Sequence, residues 1–112
     1  MMTQINGVVK GDYGYALQFT LEDSFGNAYN LTGASQLFFR VQEPNNVNSL
    51  RFSNSMSVIL AIAGTCQYIV GQTDFTIPGD YNAEIQVNFD GGITLTWSNI
   101  LIQVVPKVPY SS

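Results

Sequence analysis

The stretch Thr76–Trp97, TIPGDYNAEIQVNFDGGITLTW, decides the fold. Tyr81, Ala83, Ile85, Val87 and Phe89 alternate with Asn82, Glu84, Gln86 and Asn88. Period two is the mark of a strand with one buried and one wet face. Asp90-Gly91-Gly92 then supplies residues that tolerate positive φ, as a tight hairpin loop requires. On the return, Ile93, Leu95 and Trp97 face one way and Thr94 and Thr96 the other. Beyond Trp97 the apolar positions switch parity, to Ile100, Ile102 and Val104. One extra residue near Ser98-Asn99, a β-bulge, produces such a switch.

Working outward, Ile5–Lys10 reads as a first strand. Tyr15–Glu22 is a second, with Leu17, Phe19 and Leu21 inward, and Ser35–Gln42 a third, with Leu37, Phe39 and Val41 inward. Glu43–Ser49 is polar and rich in breakers and reads as a surface loop. Leu50–Phe52 is a short edge strand and Ser53-Asn54-Ser55 a turn. Met56–Ala63 is apolar on both parities, so it is a doubly covered strand or a helical turn; its Val and Ile content favours strand. Gly64 ends it, Thr65–Val70 alternates again, and Gly71–Phe75 is a loop. Pro106 and Pro109 end the last strand.

Seven or eight short strands with frequent turn signals predict an all-β, immunoglobulin-like antiparallel β-sandwich. Residues 1–112 fit one domain with a short tail over 106–112. In such sandwiches a Tyr near the start of the penultimate strand bonds back to the backbone, a tyrosine corner, and Tyr81 stands at that place. Ala83, two residues on, occupies the position of the second disulfide cysteine of antibody domains. Cys66 is the chain's one cysteine, so the sandwich has no internal disulfide.

Composition narrows the function. The 46% hydrophobic fraction can build a core, and charged residues are only 11%, against roughly 25% in ordinary soluble proteins. Net charge is −4, and Lys10, Arg40, Arg51 and Lys107 form no run, which argues against nucleic acid and against anionic membranes. The start, MMTQINGVVKGDYG, has neither the basic nor the apolar region of a secretory signal, so synthesis in a cytoplasm is expected. With no histidine, the commonest general base and metal ligand is missing. The inward parity of Cys66 makes it an inert buried thiol. Glu22 and Glu84 lie in polar surroundings that give no reason for a raised pKa. These residues predict a protein that is no enzyme, with no metal and no cofactor.

Some apolar side chains fall where a monomer does not bury them. Phe25, Tyr29 and Tyr110 lie in loops or the tail, Phe38 on the outward parity, and Ile59 and Leu101 in the doubly apolar runs Val58–Ala63 and Ile100–Val105. They are the candidate interface. A neutral surface of Asn, Gln, Ser and Thr suits packing against other protein. The alternative is a carbohydrate-binding or adhesin-type sandwich whose loop aromatics, Phe25 and Tyr29, stack on sugars.

A resemblance sharpens the first of these. Lys10-Gly11-Asp12, Leu17-Gln18-Phe19-Thr20-Leu21, Leu31-Thr32-Gly33-Ala34-Ser35, Thr73-Asp74, Pro78-Gly79-Asp80-Tyr81-Asn82-Ala83-Glu84 and Asp90-Gly91-Gly92 follow one another in an order and spacing similar to the N-terminal immunoglobulin-like domain of phage baseplate upper proteins. That resemblance implies a structural virion protein, made in the bacterial host cytoplasm and attached to the tail or baseplate. Its implied partners are other phage structural proteins and further copies of itself, and it carries over no catalytic residues.

Overall fold

A computed structural model describes residues 3–44 and 46–107, with the backbone alone at 46 and 47. Eight strands form two sheets: β1 (Thr3–Val9), β2 (Ala16–Thr20), β3 (Ala34–Glu43), β4 (Asn46–Ser55), β5 (Ser57–Leu60), β6 (Thr65–Ile69), β7 (Gly79–Phe89) and β8 (Ile93–Val105). One sheet has the order β1-β8-β7-β3-β4, the other β2-β6-β5. This is the arrangement of an immunoglobulin-like sandwich, with β7 and β8 as its last two strands. All pairings are antiparallel except that of β1, which runs parallel to β8.

The core forms where the alternating faces meet. Leu37, Phe39 and Val41 of β3, Tyr81, Ile85 and Val87 of β7, and Ile100, Ile102 and Val104 of β8 oppose Leu17 and Phe19 of β2 and Cys66 and Tyr68 of β6, all of them buried. Phe39 lies at the centre, 5.4 Å from the Phe19 ring and 4.8 Å from that of Tyr68. Burying a side chain of this size stabilises by roughly 1.5–3 kcal/mol. Leu21, Leu31, Val70 and Phe75 seal the two ends from the connecting loops.

The switch in parity lies at the expected place. Ala83 pairs with Ile100, whereas Ile85 pairs with Trp97, so Glu84 alone faces Ser98-Asn99. Asn99 takes φ 61°, and among the described residues it is the one non-glycine with positive φ. Asn accepts that region more readily than most residues because its short amide bonds locally.

Three expectations are corrected. Glu43–Ser49 is not a long loop, and Ser53-Asn54-Ser55 is not a turn: β4 starts at Asn46 and runs through Ser55 along the edge of the larger sheet. Its Asn and Ser residues have weak strand preference, and the ladder to β3 holds them extended. Met56–Ala63 is not a doubly covered strand: Ser57–Leu60 form β5, an edge strand whose four side chains are all exposed, and a 3-10 turn follows at Ala61–Ala63. Gly64 closes that turn at φ 67°. A Cβ there would stand 2.7 Å from the carbonyl oxygens of both Leu21 and Tyr29, so only glycine fits.

Candidate interaction surfaces

The two outer faces of the sandwich differ sharply in charge. None of the residues of β2, β5 and β6 (ALQFT, SVIL, TCQYI) is ionised at neutral pH. No Lys, Arg, Asp or Glu occurs from Phe52 to Thr73. All four side chains of β5 are exposed, Ile59 at 49% and Leu60 at 53%; Ile62 stands out just after them, and Ile69 is exposed on the same sheet at the far end of β6. This edge is apolar and uncharged. Its length and form limit what can pair with it: β5 is four residues long, and its register against β6 slips at Ile59. Short, bulged edges resist open-ended strand addition. The surface therefore offers side chains rather than a long row of backbone groups.

Arg51, the nearest cation in the sequence, does not reach this surface. A register slip in β4 turns it toward the end of the sandwich, where it lies over the Tyr81 ring at 5.9 Å. Its Nε donates to the Asp74 carbonyl at 2.6 Å, and its Nη2 donates to Thr73 O and Thr76 Oγ1. Nη1 pairs with Glu43 at 3.2 Å. The buried Asp74 carboxylate accepts from the Tyr68 hydroxyl and from the Gly71 amide. Asn54 in turn donates to the Tyr68 oxygen at 2.9 Å. Burial first, and then the bond to Asp74, push the Tyr68 hydroxyl well above its ordinary pKa. This network ties β4, β6 and the segment before β7 together, so the charge is consumed inside.

The sequence-derived candidates separate in space. Ile59 lies on the neutral edge. Phe25 is 87% exposed at the tip of a turn in which Asp23 Oδ1 accepts the Phe25 and Asn27 amides. Tyr29 does not stand free as a stacking platform. It is half-buried, edge-on to Trp97 at 5.2 Å, while the Trp97 indole donates to the Glu22 carbonyl. Phe38 and Leu101 are half-buried on the outer face of the five-stranded sheet, away from Ile59. Tyr110 lies outside the described residues. These residues do not form one patch. Ile62, within the doubly apolar run Val58–Ala63, and Ile69, on the outward parity of Thr65–Val70, were not singled out from the sequence, and both are exposed.

Tyr81 is fully buried, and its hydroxyl donates to the Ile77 carbonyl at 2.5 Å, four residues upstream. Cys66 is likewise buried, and desolvation pushes its thiol up to about 11. A thiol so shifted is neutral at physiological pH. The geometry therefore defines an immunoglobulin-like sandwich with one uncharged outer side that exposes several isoleucines among Gln, Thr and Ser. No family model and no curated protein matches the chain.

Proposed function

We propose that this domain is a non-enzymatic assembly module of a phage particle, of the tail or baseplate type, which binds structural proteins including its own copies. The observation that supports this is the uncharged three-stranded sheet with its exposed Ile59, Leu60, Ile62 and Ile69. Elsewhere the surface of an acidic chain repels a second acidic chain; here two surfaces meet with no charge to desolvate. Virion localisation and the tail or baseplate setting rest on the sequence resemblance.

Light scattering at micromolar concentration is expected to report a multiple of the 12.3 kDa chain mass. Ile59→Lys combined with Ile69→Lys changes only exposed positions, so it should return the mass to that of one chain without lowering the melting temperature. Gold-labelled antibody against the chain should decorate purified particles at the tail. A chain that remains monomeric and is absent from the particles refutes the proposal.

A further inference from the structure

The opposite face, on the five-stranded sheet, has a different chemistry. A groove of about 460 Å³ crosses it where the β8 bulge parts the β7–β8 ladder. It is lined by Arg40 and Gln42 of β3, Leu50 of β4, Asn82 and Glu84 of β7, and Asn99 of the bulge. That volume lies within the range of small-molecule sites, roughly 300–1,000 Å³.

Arg40 is under-used as a donor. Its Nη1 reaches Glu84 as an ion pair at 3.6 Å, on side chains that both stay about one-third exposed, and its Nε finds no acceptor among the described residues. Glu84 beside it is an acceptor, so the pair presents a donor and an acceptor side by side with no net charge. The carboxamides of Gln42, Asn82 and Asn99 each add one acceptor and two donors around it. Asn99 takes its place through the positive φ of the bulge, a device that re-aims a side chain out of its ladder.

We infer that this groove binds a neutral saccharide, with vicinal hydroxyls spanning Arg40 and Glu84 and the ring edge resting on Leu50. Hydroxyls donate and accept alike, which matches paired donors and acceptors. A charged ligand would gain nothing from a neutral pair within an acidic chain. A peptide is the weaker fit, because peptides are commonly held by backbone bonds along an open sheet edge, whereas most of this groove lies across the face of the inner strands β3, β7 and β8. The site is separate from the neutral side proposed for assembly and does not depend on it.

Titrating the ¹⁵N-labelled chain with maltotriose, and separately with triacetylchitotriose, tests the inference by NMR. The Arg40 Nε–H and the Asn82 and Asn99 side-chain amide signals should move together and saturate with one of the two sugars. Arg40→Gln should weaken that binding by about tenfold or more, as expected for loss of a charge-assisted donor. Phe25→Ser, at the loop tip, should leave it unchanged. No movement with either sugar at roughly 50 mM, beyond the weak end of useful affinity, overturns the inference. So does binding that Phe25→Ser abolishes and Arg40→Gln spares, or a response only to an uncharged extended peptide.

Discussion

Replacing Tyr81 by Phe removes one oxygen and leaves the ring in place. The ring is packed edge-on against Phe75 at 5.2 Å, a contact that survives the change. What disappears is the bond from the hydroxyl to Ile77 O, which fixes the turn just before β7. A neutral hydrogen bond of this kind contributes roughly 0.5–1.5 kcal/mol net. The upper range, for a carbonyl left dry, does not apply, because Ile77 is 41% exposed and water can reach it. The expected loss is about 1 kcal/mol, or about 4–8 °C in melting temperature for a domain near this size. Calorimetry of both proteins at pH 7 reads it directly. The pH dependence supplies a second reading. Burial raises the Tyr81 pKa above 10.0, so its stabilisation is complete below pH 10 and declines as the unfolded chain ionises above it. Phe has no such loss, so the gap between the two proteins should narrow above pH 10. An unchanged melting temperature at pH 7, or a gap that widens with pH, would refute the argument.

Cys66 and Gly64 give two further expectations. With its thiol raised from 9.0 to about 11, Cys66 contributes stability that is fully present below pH 9 and lost as pH rises toward 11. Cys66→Ala should flatten that part of the stability curve, and a thiol reagent at pH 8 should label the native protein only as fast as it unfolds. Rapid stoichiometric labelling would contradict the burial. Gly64→Ala should cost at least about 2 kcal/mol, since the new Cβ meets two backbone carbonyls and the residue must hold positive φ. Denaturant unfolding that shows a wild-type midpoint would contradict this.

Strands with one buried face were legible because alternation is written along the chain. Leu17, Phe19 and Leu21, or Tyr81 through Val87, each carry it within a few residues. β4 was not legible beyond Leu50–Phe52, because an edge strand of Asn and Ser takes its conformation from β3 rather than from its own pattern. Asp74 reads as a loop residue, and only folding brings Tyr68 over it. Tyr29 looks exposed for the same reason, since Trp97, which covers it, lies far along the sequence. The groove on the larger sheet was half legible: the bulge showed in the parity switch, but Arg40 and Glu84 face one another only through the β3–β7 register.

The parallel pairing of β1 with β8 has a mechanical meaning. Because the two strands run the same way side by side, Thr3 lies beside Ile100 while Val9 lies beside Val105. Tension applied through Thr3 and Lys107 pulls β1 and β8 in opposite directions along their own axes. The bonds between them are then loaded together in shear instead of being opened one after another. A domain strung in this way transmits tension along a filament without unravelling from its ends.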